Sequence, residues 1–385
     1  MPEFGTAMRQ WLRRLLLVAL TLAVVTQLNA AADSPATTPG LAPANVNPFL
    51  PANRRDRLDG ALIRLARVAM SADLSTNEPW LFDRATVYYK LARWTDDPAF
   101  RSYALELVNK YYANIDARGQ FLLKPDDGKY AYVDGAVWYE FETGDRRFRS
   151  QAEAIYHMWL AEIPSHYSPA LRIWTEREIA YALGAALGWY ELSQDPAAMA
   201  RARALIQQWA EMSAGSGAPL HTLAQHQEEF EPPWGPRRMT SPWMAALFFE
   251  YLQHYHRLTG DKLALTLVSD YADFVIAHCL YDGSLNHPNL AGRLMPYYLC
   301  DEQGSYEKET PSEADGEHTP DVMGLMAYAL YAKRQLGLDP KAALKAYRGL
   351  RDSAEFFVDR RADVNPPRKI NWWIGTAYDS SYLAK

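Results

Sequence analysis

One short turn recurs along this chain and constrains its fold more than any other feature. Trp94-Thr95-Asp96-Asp97-Pro98, Glu142-Thr143-Gly144-Asp145, Leu192-Ser193-Gln194-Asp195-Pro196, Leu258-Thr259-Gly260-Asp261 and Leu336-Gly337-Leu338-Asp339-Pro340 each separate two helical patterns. Their aspartates, Asp97, Asp145, Asp195, Asp261 and Asp339, stand 48, 50, 66 and 78 residues apart. Gly can end a helix in the left-handed region. Asp accepts the free N–H groups of the next helix, and Pro fits its first turn. These five aspartates are read as caps, with no part in chemistry.

The helices on either side of the turns differ. After the turn the pattern is amphipathic: Phe100, Tyr103, Ala104, Leu107, Val108 and Tyr111 share one face, as do Met199, Ala202, Leu205, Ile206 and Trp209. Before it, segments such as 180–190, 243–249 and 323–330 are apolar nearly all round, the mark of a buried helix. Inner–outer pairs are expected at about 79–113, 132–161, 174–212, 240–278 and 319–358. A lone amphipathic helix at 54–70 and a lone aromatic segment at 371–384 remain to form a sixth pair. An open solenoid of the tetratricopeptide kind repeats about every 34 residues, which these spacings do not match.

This alternation, with its Thr-Gly-Asp turns in one large body, resembles the (α/α)6 toroid carbohydrate-active enzymes. These include six-hairpin glycosidases, unsaturated glucuronyl hydrolases, polysaccharide lyases and the N-acylglucosamine 2-epimerase type. The resemblance spans nearly all of residues 53–385 and rests on architecture, since no single family's catalytic string is intact. It implies an all-α fold of six inner and six outer helices and an activity on carbohydrate. Asn371-Trp372-Trp373-Ile374-Gly375 resembles a string of hyaluronate and xanthan lyases.

The N-terminus sets the expected compartment. Residues 1–7 read as a translated cloning site, and 8–32 as a signal peptide with Arg9, Arg13 and Arg14 before an apolar stretch. That stretch falls short of the roughly 20 residues that span a bilayer. Residues 33–52 read as a Pro- and Ala-rich linker and 53–385 as the toroid domain. A periplasmic or secreted protein is expected, with no membrane span after signal removal. The chain carries a net charge of −6, and removing the +2 of residues 1–32 leaves −8. An acidic surface without a basic stripe argues against nucleic acid. Cys279 and Cys300 are the only two cysteines, either bridged or buried as thiols.

The long connections, at about 114–131, 162–173, 213–239, 279–317 and 359–370, lie on the side where the apolar helices begin and mark where a site is expected. Trp80, Trp174, Trp234, Trp243, Trp372 and Trp373 gather there, and indole faces stack on sugar rings. Glycoside hydrolysis needs two carboxyls, one with a raised pKa. Asp134, Glu176, Glu231 and Asp321 are the catalytic candidates. Asp134 resembles the acid/base aspartate of unsaturated glucuronyl hydrolases. Helix capping explains Asp83, Asp134 and Asp321 without any chemistry. Asp83 joins the substrate-binding candidates with Arg237 and Arg238, which suit a uronate or sulfate. His166 and Tyr167 have the chemistry a uronate lyase would use. The expectation is a monomeric glycoside hydrolase with no metal and no cofactor. A uronate lyase and a non-catalytic polysaccharide-binding protein are the alternatives.

Overall fold

A computed structural model of the chain describes residues 57–163, 176–222, 238–285, 288–305, 316–359 and 369–385. The N-terminal segments 1–7, 8–32 and 33–52 lie outside the described residues. All described residues belong to one compact unit, 43–385. Twelve α-helices are present among them: α1 Arg57–Ala69, α2 Arg84–Thr95, α3 Pro98–Ala113, α4 Asp134–Thr143, α5 Arg149–Glu162 and α6 Glu176–Ser193. The rest are α7 Pro196–Ser213, α8 Pro242–Thr259, α9 Lys262–His278, α10 Thr319–Leu336, α11 Lys341–Asp359 and α12 Ile370–Leu383. Strand is confined to three short antiparallel pairs in the connections, His221–Thr222 with Arg238–Met239, Leu280–Asp282 with Leu294–Pro296, and Cys300–Asp301 with Gly304–Ser305. The protein is all-α, and none of its described helices is long and apolar enough to cross a membrane.

The repeated turn has a common chemistry. Asp97, Asp145, Asp195, Asp261 and Asp339 each accept the backbone N–H two residues on, at 2.9 to 3.0 Å. A hydroxyl two residues before the first four aspartates completes the motif. Thr95, Thr143, Ser193 and Thr259 each donate to the carbonyl four residues back, at 2.6 to 2.8 Å. The same oxygen accepts the aspartate's own N–H. One side chain thus closes the old helix while the next opens the new one. Between them lies a left-handed residue: Gly144, Gly260 and Gly337 at φ +70° to +72°, but Asp96 at +55° and Gln194 at +59°.

The even-numbered helices carry the buried faces. α2 packs on α4, α4 on α6, α6 on α8, α8 on α10, α10 on α12, and α12 returns to α2. The amphipathic α1 packs on both α12 and α11. Asn371 ties the two ends of this series together. Its amide N–H groups donate to the carbonyls of Pro79 (2.9 Å) and Leu81 (2.7 Å), just before α2. Its Oδ1 accepts from the buried Arg84 guanidinium at 3.5 Å, and Arg84 also binds the Ala69 carbonyl at the end of α1. α6 approaches α8 closely at Gly184, where a Cβ would lie 2.3 Å from the Tyr251 ring.

Cys279 and Cys300 form a disulfide, with Cα atoms 5.5 Å apart. It joins the end of α9 to the segment that pairs Cys300 with Thr240 through two 3.0 Å backbone hydrogen bonds, just before α8.

Gln194 is the non-glycine residue of these turns that gains most from a Gly. Its left-handed backbone costs an L-residue about 1 kcal/mol. Gln194→Gly is expected to raise stability by about that amount, read as a higher urea midpoint with unchanged slope.

Candidate active site

A cavity of about 70 Å³ lies among the even-numbered helices. Asp83 and Asp134 stand at the starts of α2 and α4 and both line it. Glu250, Tyr251, His254 and Arg257 of α8 enter from one side, and Trp372, Gly375 and Asp379 of α12 from another. Lys90 of α2 and Tyr181 of α6 add to the polar lining, with Thr86, Tyr132 and Asn371.

Asp83 is held in a tight turn. It and Phe82 both have positive φ, +43° and +62°, a strained pair of the kind that persists only where its surroundings impose it. Here Asn371 fixes the preceding carbonyl, Tyr132 Oη accepts the Phe82 N–H at 2.8 Å, and the Phe82 ring stacks on Trp372 at 4.9 Å. The Asp83 carboxylate accepts Thr86 N–H (3.1 Å) and Thr86 Oγ1 (2.7 Å). It therefore caps α2 and faces the cavity at once. Burial, then the Asp134 charge, pushes its carboxyl up to about 7.

Asp134 does not cap its helix through its side chain. Its Oδ2 accepts from Tyr251 Oη at 3.2 Å, and its Oδ1 lies 4.0 Å from His254 Nδ1. Burial raises its pKa, with His254, Lys90 and the Tyr251 hydrogen bond opposing the rise. Glu250 accepts from Trp372 Nε1 (3.1 Å) and Thr376 Oγ1 (2.9 Å), and burial lifts its carboxyl to about 7. Lys90 is paired with Asp379 at 2.8 Å. Three carboxyls with raised pKa, Asp83, Asp134 and Glu250, thus line one cavity, and such groups can both donate and accept protons.

The remaining sequence candidates fall elsewhere. Glu176 is buried but is not part of this cavity. It accepts Thr240 Oγ1 (2.8 Å) and Ser241 N–H (3.0 Å), so it fixes the entry to α8. Asp321 is buried against His318, with Oδ2 and Nδ1 2.8 Å apart, and burial drives its pKa well up. Burial and the Lys369 charge hold His318 well below its usual range. Trp80 is core, packed on Tyr111 and Phe121, with its N–H on the Leu74 carbonyl. Arg238 is exposed at the end of a strand. The adjacent tryptophans diverge: Trp372 lines the cavity, while Trp373 is fully buried and donates to the Glu317 carbonyl at 3.0 Å. Glu231, Trp174, Trp234, Arg237, His166 and Tyr167 lie outside the described residues.

Lys90, Glu250, Tyr251, His254, Arg257 and Asp379 were not singled out from sequence. The signal was there on α8, where Leu247, Glu250, Tyr251, His254 and Arg257 recur at helical spacing in an otherwise apolar helix. No group of three or more His, Cys, Asp or Glu among the described residues could hold a metal ion.

Two measurements check this geometry. Gly184→Ala is expected to displace Tyr251 from Asp134 and to cost about 1–3 kcal/mol through overpacking, read by urea denaturation. Asp83 and Glu250, with pKa raised to about 7, bind protons in the folded state that the unfolded chain has released. Their stabilising contribution is therefore complete below about pH 4 and lost as pH rises towards 7. The melting temperature of the Asp83→Asn, Glu250→Gln double variant should fall less steeply over that window than that of the parent protein.

Scans against protein-family profiles, curated proteins and solved structures return no match to this chain.

Proposed function

We propose that this chain is an exported, monomeric (α/α)6 toroid that hydrolyses glycosidic bonds in a carbohydrate polymer or oligosaccharide, without a cofactor. The cyclic order of helix contacts, from α2 through α12 and back to α2, supports the toroid. The observation that carries the activity is that Asp83 and Asp134 line one cavity, both with raised pKa. Trp372, stacked on Phe82 at its wall, offers an aromatic surface for a sugar ring.

In this reading Asp83, its carboxyl pushed up to about 7, donates its proton to the glycosidic oxygen as the C1–O bond breaks. Asp134, whose charged form His254, Lys90 and the Tyr251 hydrogen bond favour against the effect of burial, takes a proton from the water whose oxygen bonds to C1. The products are a new reducing end and a free hydroxyl, and one proton has moved from Asp83 to Asp134. Asp83 thus takes the place beside Asp134 for which Glu176, Glu231 and Asp321 were the sequence candidates.

The test is digestion of a panel of bacterial exopolysaccharides, followed by reducing-end assay and by the absorbance of unsaturated uronates. New reducing ends without absorbance are expected. Absorbance would favour β-elimination, and binding without either product would favour a non-catalytic role. Asp134→Asn should lower the rate by on the order of 10²–10⁴ with the fold intact. The rate should also decline as pH rises through about 7, where Asp83 gives up its proton. Normal turnover by Asp134→Asn overturns the assignment.

A further inference from the structure

Behind Asp134 lies a second pair of titratable side chains that the hydrolysis step does not use. His254 of α8 is 2 % exposed and sits between two carboxylates from different helices. Its Nε2 is 2.7 Å from Glu191 Oε2 near the end of α6, and its Nδ1 is 4.0 Å from Asp134 Oδ1 at the start of α4. The opposite oxygen of Asp134 is taken by Tyr251 Oη. Tyr251 and His254 are i and i+3 on α8, so one helix face presents both groups to Asp134.

We infer that Glu191 and His254 form a proton-relay dyad that positions Asp134 and clears it of its proton after each bond cleavage. An ionised Glu191 only accepts hydrogen bonds, so it fixes the His254 proton on Nε2. A neutral imidazole then turns the Nδ1 lone pair towards Asp134. Before cleavage these two acceptors, Asp134 Oδ1 and His254 Nδ1, stand 4.0 Å apart with no proton between them. When Asp134 takes the proton from the attacking water, that proton passes on to Nδ1. The O–H bond of Asp134 breaks, the Nδ1–H bond forms, and Asp134 returns to its carboxylate. The imidazolium is balanced by the Glu191 carboxylate and gives its Nδ1 proton to water in the cavity before the next cleavage. The 4.0 Å gap exceeds a hydrogen bond, so transfer needs a small approach of the two side chains or one bridging water. Lys90 from α2, Glu250 and Arg257 on α8, and Asp379 from α12 line the same cavity and set the field in which the proton moves.

The catalytic half of this inference rests on the proposed hydrolysis, so the test has an arm that needs no substrate. The full chain is labelled with ¹⁵N-histidine and titrated with pH by NMR, the His254 signals being assigned with His254→Gln. In the parent protein Nε2 should carry the proton at neutral pH. Glu191→Gln and Asp134→Asn should each move the His254 titration to lower pH. If neither variant moves it, the dyad is overturned whether or not the protein cleaves a polysaccharide. Should Glu191→Gln fail to fold by circular dichroism, Asp134→Asn carries this arm alone.

The second arm uses whichever polysaccharide of the panel the parent protein cleaves. Glu191→Gln should lower kcat at least about tenfold, less than loss of an acid–base group itself, with KM unchanged. It should also shift the acid limb of the pH profile, and Glu191→Asp should restore part of the rate. A merely structural Glu191 would leave that limb in place, and an unchanged limb with unchanged kcat overturns the relay.

Discussion

The hydrogen bonds of Asn371 hold the rest of the site in place. Its amide binds the Pro79 and Leu81 carbonyls, and its Oδ1 takes a hydrogen bond from Arg84. Those contacts join the last helix of the chain to the turn before α2. That turn is where Phe82 and Asp83 adopt left-handed backbone, a conformation no local preference favours in residues with a Cβ. Without the fixed carbonyl of Leu81 the strained turn keeps only the Tyr132 hydrogen bond and the Phe82–Trp372 stack to hold it. One buried amide thus links the order of helix packing to the position of a carboxyl with a raised pKa. Its Nδ2 contacts and Arg84 are buried, and leaving any of these groups unpaired would cost about 1–3 kcal/mol each.

Much of the helical architecture was legible in the sequence because its signals are local. Five Asp-capped turns, separating amphipathic from all-round apolar segments, place the helices within a few residues of where they lie. Even the lone segments at the two ends were correctly seen as helices, and α1 and α12 pack together. What escaped was the second half of the turn. Thr95, Thr143, Ser193 and Thr259 stand in plain view, but their double role, donor to one helix and acceptor for the next, appears only with geometry.

The site was legible only in part, for a physical reason. Carboxylates at helix starts and in long loops stand out in the sequence, Asp83 and Asp134 among them; the sequence does not tell which of them reach one another. It could not distinguish Asp134, which takes a tyrosine hydroxyl, from Glu176, which fixes a backbone turn, since both open buried helices. The difference lies in which neighbour reaches them across the interior, a matter of non-local packing. Gly184 is the clearest case. A missing side chain on α6 decides where Tyr251 of α8 sits, and so what Asp134 can bind. The same holds for Glu250 and His254, polar residues in the middle of a helix that reads as core.

The dependence of the cavity on α12 bears on how the protein comes into being. Asn371, Trp372, Gly375 and Asp379 arrive within the last 15 residues of the chain, yet they line the space that Asp83 opened almost 300 residues earlier. A nascent chain emerging residue by residue has every early carboxyl and most of the apolar helices before it has anything to seal them. Until the final helix docks, α2 and α10 each lack the neighbour against which they pack. Every intermediate in which α12 is undocked therefore exposes the aromatic surface that Trp372 covers on Phe82. The surroundings of Asp83 and Asp134 are therefore completed in one step, the docking of α12.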